Sequence, residues 1–330
     1  MAALGDAFFV QTFTTTLQKY EKQLVDNVLL DHPTLELFKA NAKSYTGRGL
    51  VIPLRAANLN ATGYTDASGT HSTSVSTDIM GSAVYDFANG ILTPFRVKHR
   101  DVLLNSGPEQ IVNLVEEYVK AAAADHGDFI TAQLHRDGFT YDAGELLPLE
   151  VLVGNTATDN AYEAGPSNWQ DVGGIDSGDA GKAYWQSTVL TSSQASEDII
   201  ASMRRLTNEI YRASRKRPSI MIAGFDVYEE IEVFLQEKGQ YTNPQGTAQT
   251  RFNEIKFGDL TVRLDPDCPD NYLYALHTPS LRLGYAAGEF MKAYPAQPLE
   301  GTLDTVVPLA STLVIGTSER RAHGRILRTA

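Results

Sequence analysis

Residues that could catalyse a reaction or bind a metal are present in this 330-residue chain, but their spacing matches no familiar motif. Gly181-Lys182 is followed by Ala183, and Asp176 stands where a phosphate-binding loop begins with glycine. The sequence contains no His-Glu-x-x-His pair and no Gly-x-Ser-x-Gly nucleophile elbow. The histidines are scattered at spacings that suit no metal site, at positions 32, 71, 99, 126, 135, 277 and 323. We therefore predict no catalytic residue, no cofactor, no metal and no enzymatic activity.

Two local clusters are candidate exceptions. His126 lies close in sequence to Asp125 and Asp128, which we interpret as a solvated surface cluster rather than a ligand set. In the segment Asp265-Pro266-Asp267-Cys268-Pro269, two carboxylates flank a thiol, but two prolines favour a tight turn between strands. We expect replacement of His126 or Cys268 by Ala to cost only modest stability.

Two basic clusters could contact nucleic acid. One spans 212–217, where cations at the end of a predicted helix are favoured by the helix dipole. The other contains four arginines, at 320, 321, 325 and 328, and is expected to form a surface patch. The formal net charge of -12 argues against a protein that coats nucleic acid, because such affinity comes from neutralising phosphates.

Composition limits the class of protein. The chain is 42% hydrophobic and longer than one domain usually is, so we expect either two lobes or one domain with long excursions. Its single cysteine, Cys268, excludes an intrachain disulfide framework and a cysteine-rich zinc module. No basic lead-in with an apolar run marks a secretory signal, and no apolar stretch of about 18 residues suggests a membrane span. We expect synthesis in the cytosol.

The most strongly patterned segment is a long helix over 106–137. Ser106 and Glu109 form a capping box, Pro108 fits the first turn, and Gly138 is expected to end the helix. Its length of about 45 Å exceeds the needs of a compact core and indicates a strut. The predicted buried stripe contains Ile111, Leu114, Val115, Tyr118, Val119, Ala122, Phe129, Ile130 and Leu134.

Two further helices are predicted before this strut. Residues 6–31 are amphipathic and stop at His32-Pro33. Asp31 could cap a short helix through Leu35 and Phe38. They could pack on their own lobe or on a neighbouring chain.

The segment between these helices favours a projecting hairpin. Strands are predicted over Gly49–Arg55 and over 91–100, separated by more than thirty mainly polar residues. A connection this long and polar is usually disordered or finds its partner on another chain. Both alternatives remain open from the sequence.

The second half of the chain predicts an α/β lobe after an acidic, solvated region over 137–187. Two long strands should close the chain between 305 and 327, through Leu313-Val314-Ile315 and through 322–327. Between these regions we predict a helix that is opened by Ser193 or Ser196, carries apolar residues from Ile199 to Ile210 and closes on the basic residues over 212–217. It is followed by a buried strand over 219–223, a helix over 225–238, a loop over 239–250, and strands over 260–264, 272–277 and 281–285 in one mixed sheet.

The order of these elements and several local motifs resemble the major capsid proteins of tailed double-stranded DNA bacteriophages, which have the HK97 fold. The resemblance covers nearly the whole chain. It is carried by Asp26-Asn27-Val28, Asp31-His32-Pro33-Thr34-Leu35, Gly49-Leu50-Val51-Ile52-Pro53-Leu54, Asn105-Ser106-Gly107-Pro108-Glu109-Gln110-Ile111, Gly173-Gly174-Ile175-Asp176, Tyr184-Trp185, Asp265-Pro266-Asp267-Cys268-Pro269 and Ser318-Glu319-Arg320-Arg321-Ala322-His323-Gly324.

The resemblance implies an α+β, HK97-like capsid fold in four parts. Residues 1–47 would form an N-terminal arm and 48–97 an extended loop (E-loop) over a neighbouring subunit. Residues 98–145 and 290–330 would form a peripheral domain with the spine helix, and 146–289 an α/β axial domain. The implied function is assembly into hexamers and pentamers of an icosahedral or prolate shell that encloses double-stranded DNA without sequence-specific binding.

The resemblance also implies a location in the virion after synthesis in the bacterial cytoplasm, with a portal protein and a decoration or cement protein as partners. The chain begins directly at the arm, so scaffolding is expected from a separate protein or not at all. Residues 44–97 contain no lysine, so the extended loop cannot supply the amine of a Lys-to-Asn crosslink. The alternatives are a phage tail or other structural virion protein, against which the long helix argues, and a metal-dependent hydrolase.

Overall fold

A computed structural model describes most of the chain from His32 onward. The described residues are 32–47, 49–55, 80–88, 90–99, 108–136, 138, 144–154, 171–178, 182–195, 197–237 and 254–329. The predicted helix over 6–31, the tip of the hairpin and the loop over 239–250 lie outside these ranges. No helix in the described ranges is long and apolar enough to cross a membrane.

The described residues form five α-helices and seventeen strands. The helices are α1 (Pro33–Lys39), α2 (Pro108–Leu134), α3 (Leu149–Leu152), α4 (Ile199–Ser214) and α5 (Phe225–Glu237). The strands are β1 (Ala42–Tyr45), β2 (Gly49–Arg55), β3 (Met80–Asp86), β4 (Ile91–Val97), β5 (Asp171–Val172), β6 (Ile175–Asp176), β7 (Thr188–Ser193), β8 (Ile220–Ala223), β9 (Glu254–Phe257), β10 (Leu260–Leu264), β11 (Tyr272–Leu276), β12 (Leu281–Ala286), β13 (Lys292–Ala293), β14 (Gln297–Pro298), β15 (Thr305–Ser311), β16 (Leu313–Thr317) and β17 (Gly324–Thr329).

The spine helix α2 has 27 residues and is about 40 Å long. Val119, Ile130 and Leu134 are buried, as the apolar spacing predicted. Phe129 was wrongly placed in the buried stripe, because it follows Asp128 on the solvent side and remains 48% exposed. The helix ends at Leu134, four residues before the predicted stop at Gly138, and the predicted cap at Ser106 lies outside the described ranges.

A six-stranded sheet forms the centre of the α/β lobe, in the order β7-β17-β11-β8-β10-β9. The parallel pair β8 and β10 brackets α5, which is the usual crossover for parallel strands. The expectation that the strand over 281–285 completes this sheet is wrong, because β12 pairs with β1 and β16 in a separate three-stranded sheet.

The closing segment forms three strands rather than the predicted two, and each belongs to a different sheet. β15 pairs with β4, β13 and β14, while β16 pairs with β12. β17 lies between β7 and β11 in the six-stranded sheet. The end of the chain therefore joins the three sheets to one another.

The predicted hairpin exists, but its second strand was misassigned. β2 pairs with β3 in a register that sets Gly49 opposite Asp86 and Arg55 opposite Met80. The predicted partner strand, β4, instead pairs along its whole length with β15. β3 was overlooked because its sequence, Met-Gly-Ser-Ala-Val-Tyr-Asp, starts with small residues that continue the polar tip.

The region over 137–187 is not simply solvated, since several of its described residues enter the main core. Leu149, Leu152 and Trp185 are almost completely buried, as is Val172. They join a cluster that includes the inner face of the hairpin, the end of α2 and the three-stranded sheet. The acidic composition describes the loops of this region but not its short apolar elements.

Two smaller cores complete the packing. In one, α4 and α5 cover one face of the six-stranded sheet, with Met203, Val227 and Met221 among the buried contacts. In the other, Val119 of α2 packs against Val97 of β4 and Val307 of β15. The spine helix is therefore fixed at this contact and again near its C-terminus by the main core.

Candidate assembly elements

The β2–β3 hairpin has one face covered by its own chain and one face exposed. Leu50, Leu54 and Ala83 point into the main core. On the other face, Val51 and Val84 are directly opposite each other and are 59% and 43% exposed. Alternation along each strand produces this division, because successive side chains point to opposite faces. The hairpin thus presents an apolar surface to whatever lies beside it.

Tyr85 anchors the root of the hairpin to β16. Its ring is buried, its O–H donates to the carbonyl oxygen of Thr317 at 3.0 Å, and the Thr317 N–H donates back to the phenol oxygen at 3.2 Å. Burial raises the pKa of Tyr85 to about 12, so it stays a neutral donor. A Cβ at Gly316 would lie 2.7 Å from the ring, so only glycine leaves room for this contact.

A second hairpin, β5–β6, contacts strand β3 beside Tyr85. Its turn is Gly173-Gly174, both with positive φ of 67° and 71°, as a two-residue hairpin turn requires. The Gly173 carbonyl accepts a hydrogen bond from the Val84 N–H at 2.9 Å. Trp185 Nε1–H donates to the Val172 carbonyl at 2.7 Å, which fixes the small hairpin in the core.

His126 is buried, which overturns its interpretation as part of a surface cluster. Its Nδ1 lies 2.8 Å from Thr93 Oγ1 and its Nε2 lies 2.8 Å from Ser311 Oγ. It therefore links α2 to β4 and β15 through hydrogen bonds. Burial lowers its pKa to about 4, so it is neutral at neutral pH. The sequence could not show this, because both partners are distant in the chain.

Asp265 joins three separate segments in the interior. Its carboxylate accepts hydrogen bonds from the Thr34 N–H and hydroxyl, and lies 3.4 Å from His135 Nε2 at the end of the spine. Burial alone would raise the pKa of Asp265, but hydrogen bonds from His135, Thr34 and the Asp267 N–H lower it to about 2. The 265–269 segment is a turn, as predicted, in which the Cys268 N–H donates to the Asp265 carbonyl. Its carboxylate holds α1 and the spine to the lobe.

The arginines over 320–328 do not form the predicted surface patch. Arg320, Arg325 and Arg328 are buried. Arg328 forms a two-pronged ion pair with Glu230 of α5, and Arg325 Nη1 lies 3.2 Å from Glu150 Oε1. Carboxylates distant in sequence supply these partners, which no local pattern could reveal.

Arg320 has a different role, because its guanidinium binds backbone oxygen atoms. It donates to the carbonyls of Leu152 at 3.1 Å and Val151 at 3.0 Å. Both carbonyls belong to α3, and the Val151 carbonyl also accepts a hydrogen bond from the Gly154 N–H at 3.2 Å. Arg320 thus fastens the 144–154 segment to the last part of the chain.

Candidate chemical groups do not converge on a reactive site. Cys268 is buried, and burial with the nearby Asp265 and Asp270 raises the pKa of its thiol, so the reactive thiolate is disfavoured. Across the residues that the structure describes, no three His, Cys, Asp or Glu side chains are placed to hold one metal ion. The buried polar groups connect structural segments instead.

Comparisons with known proteins identify the fold. Neither protein-family models nor curated proteins match the sequence. Solved structures do: the capsid asymmetric unit of cyanophage A-1(L) matches with a TM-score of 0.62 and 14% identity over 90% of this chain and 93% of that chain. The capsid of cyanophage P-SCSP1u matches with a TM-score of 0.52 and 10% identity over 88% of this chain and 86% of that chain.

A third structure, the procapsid of satellite phage P4 with its size determination (Sid) protein, has a TM-score of 0.52 and 11% identity, over 94% of this chain and 90% of that chain. The three agree over nearly the full length of each chain. The chain therefore has the fold of phage capsid subunits, and the predicted α+β, HK97-like capsid fold is confirmed.

Proposed function

We propose that this chain is the major capsid protein of a tailed double-stranded DNA phage. Copies assemble into hexamers and pentamers that close into an icosahedral or prolate shell around the packaged DNA. Likeness of fold supports this function but does not by itself define one. The observation that carries the proposal is the exposed apolar face of the anchored β2–β3 hairpin.

That face needs a partner because a two-stranded ribbon has little stability of its own. The inner face is buried on the main core, but Val51, Val84 and the 83% exposed Met80 extend along the outer face. Contiguous exposed apolar surface usually marks a contact with another molecule. In a shell, the body of a neighbouring subunit supplies that contact, and it recurs at every subunit.

The domain assignment follows the same proposal with one adjustment. Residues 1–47 serve as the N-terminal arm, 98–145 and 290–330 as the peripheral domain, and 146–289 as the axial domain. We keep the start of the extended loop at 48, and we assign β4 to the peripheral domain because it pairs with β15. We therefore place the end of the extended loop before Ile91 rather than at 97. β17 adds a strand from the peripheral range to the axial sheet.

The charge distribution suits a container for DNA. The net charge is -12, and three of the four C-terminal arginines are used inside the fold. A wall that binds phosphates weakly would let packaged DNA move along it. The chain would act in the virion without catalysis, after synthesis in the host cytoplasm, with a portal protein and separate scaffolding or decoration proteins as further partners.

Replacing the hairpin tip tests this function. Residues 58–79 are exchanged for a short Gly-Ser turn, which leaves both β2 and β3 intact. We expect a folded monomer or capsomer with near-native circular dichroism that does not close into shells under electron microscopy. One lost contact per subunit is multiplied through the lattice, so a modest change should have a large effect.

A second variant carries a Gly-Ser segment of the original length in the same place. It separates the length of the tip from its sequence, and should also fail to assemble. Shells of normal size from both variants would contradict an interlocking role, because removal of a solvated loop without a partner costs almost nothing.

A further inference from the structure

Helices α4 and α5 carry opposite charge on one side of the axial sheet. From 199 to 217 the sequence contains six basic residues and one acidic residue, Glu209. From 218 to 237 it contains five acidic residues and no lysine or arginine. Both helices pack on the same core of the six-stranded sheet, so both outer surfaces belong to one side of the lobe. On this acidic chain, a basic surface therefore lies next to an acidic one.

The basic surface is a single stripe along α4. Arg204, Arg212 and Arg215 are exposed and are separated by eight and three residues, which places them on one side of the helix. Within the described part of the chain, none of the three forms an ion pair or hydrogen bond through its side chain. Tyr211 is exposed in the same stripe, with the Arg217 guanidinium 5.3 Å from its ring centre.

The acidic surface is the corresponding stripe along α5. Asp226 and Glu229 are exposed, three residues apart, and no described cation pairs with either of them. Phe225 and Val233 are exposed beside them. The stripe therefore combines apolar contact area with unpaired negative charge, and solvation alone gives no reason for that combination.

The two stripes lie on neighbouring helices that contact each other. α4 packs against β7 and β17, whereas α5 leads from β8 to the β9–β10 edge. The charged residues of the two stripes, Arg204, Arg212, Arg215, Asp226 and Glu229, form no ion pair with one another among the described residues, so the stripes do not neutralise each other within one chain. The basic stripe of one copy can meet the acidic stripe of the next copy head to tail, and such contacts close into rings when subunits are related by rotation.

We propose that the basic stripe of α4 (Arg204, Tyr211, Arg212 and Arg215) binds the acidic stripe of α5 (Asp226, Glu229 and the adjacent Phe225 and Val233) on the next copy of this chain around a capsomer. This inference rests on the proposed assembly function and names one of its contacts. A second copy fits better than DNA, because DNA would account for the arginines but not for the acidic stripe. Complementary charge would also set the order in which copies join.

Charge reversal with rescue tests the pairing. One variant carries Arg204→Glu with Arg212→Glu, a second carries Asp226→Arg with Glu229→Arg, and a third carries all four changes. We expect each two-site variant to need a roughly tenfold higher protein concentration for assembly, because like charges then face each other. The four-site variant should return to within about threefold of the wild type, because opposite charges face each other again.

Two controls make the result specific. Lys43→Glu with Lys256→Glu changes the net charge as much as the first variant, at exposed positions outside both stripes, and should assemble normally. Arg204→Gln with Arg212→Gln removes the two charges without reversing them and should weaken assembly less than the reversal does. It replaces the reversed variant if that protein is poorly folded. Circular dichroism and thermal melting check that each variant is folded.

The outcomes separate this inference from the proposed function. If the wild type assembles and both reversed variants assemble equally well, the α4–α5 contact is refuted and the capsid function stands. If the α4 variant fails and reversal of α5 does not rescue it, α4 binds another partner such as DNA or a scaffolding protein, and the contact is again refuted. If the wild type itself never assembles, the proposed function fails, and this contact with it.

Discussion

Tyr85 and Thr317 exchange two hydrogen bonds through a single phenol oxygen, although 232 residues separate them in sequence. The phenol donates to the Thr317 carbonyl and accepts from the Thr317 N–H. Tyr85 belongs to the hairpin that we propose to reach a neighbouring subunit, and Thr317 ends a strand of the three-stranded sheet. This contact fixes the direction in which the hairpin leaves the body.

Tyr85→Phe should therefore weaken both the fold and the position of the hairpin. The substitution leaves the buried Thr317 N–H and carbonyl without this partner, and we expect the free energy of unfolding to fall by about 1–3 kcal/mol. Urea denaturation of the purified variant measures the loss. Ser82→Ala, on the exposed face of the same strand, serves as the control and should stay within about 0.5 kcal/mol of the wild type. Equal stability of both variants would show that the phenol contact is dispensable.

The stability of the protein should fall when the pH drops from about 6.5 to about 4. Burial holds the pKa of His126 near 4, whereas its ordinary value is 6.5, so the unfolded chain binds a proton in this range that the folded chain does not. Proton binding to the unfolded state lowers the free energy of unfolding as pH falls, by on the order of 3 kcal/mol for this group. Burial lowers the pKa of His323 to about 3, and it acts in the same direction.

His126→Gln isolates the contribution of one histidine. Glutamine does not titrate, so the variant should lose less stability than the wild type between pH 6.5 and pH 4.5, whatever its stability at neutral pH. Denaturation curves at several pH values provide the comparison. Identical pH dependence in the two proteins would mean that His126 is not held neutral by burial.

Arg320 and Arg321 are neighbours with opposite environments, which makes them a matched pair. Arg320→Met should cost several kcal/mol, because the Leu152 carbonyl loses its buried side-chain donor and the Val151 carbonyl keeps only the Gly154 N–H. Arg321→Met, at a half-buried position with no described partner, should cost less than about 1 kcal/mol. Thermal melting measures the loss of stability in each variant. A larger loss for Arg321→Met than for Arg320→Met would contradict the buried role of Arg320 and favour the surface patch expected from sequence.

The spine helix offers a similar pair. Val119→Asp places a carboxylate among Val97, Val307 and Leu309, at a cost of several kcal/mol if it finds no partner. We expect that variant to fail to fold, whereas Phe129→Asp, on the exposed side, should fold normally. Expression as soluble protein and a cooperative melting transition measure both. Cooperative melting of the Val119 variant would mean that the buried face has been misplaced.

Sequence patterns predicted individual helices and strands better than they predicted which strands pair. The helices α4 and α5 and the strands β8, β10 and β11 follow from apolar spacing within short windows. The pairing of β2 with β3 depends on contacts across the polar tip, and β12 and β17 join sheets that their neighbours in sequence do not predict. Non-local pairing leaves no periodic signal in either strand.

Burial of polar residues was the other feature that sequence patterns did not predict. Arg328 and His126 have local surroundings that indicate exposed sites, and partners distant in sequence, including Glu230 for Arg328 and Thr93 and Ser311 for His126, explain why they are buried. Gly316 carried no visible signal either, because its role is to leave space for Tyr85. The anchor of the hairpin was therefore missed from sequence.

Electron cryomicroscopy of the purified wild-type protein at high concentration tests the proposed function most directly. We expect closed shells, rings or tubes whose reconstruction shows Val51, Met80 and Val84 covered by a neighbouring subunit. Strictly monomeric protein, or assemblies in which this hairpin face remains exposed to solvent, would contradict a capsid protein that interlocks through its extended loop.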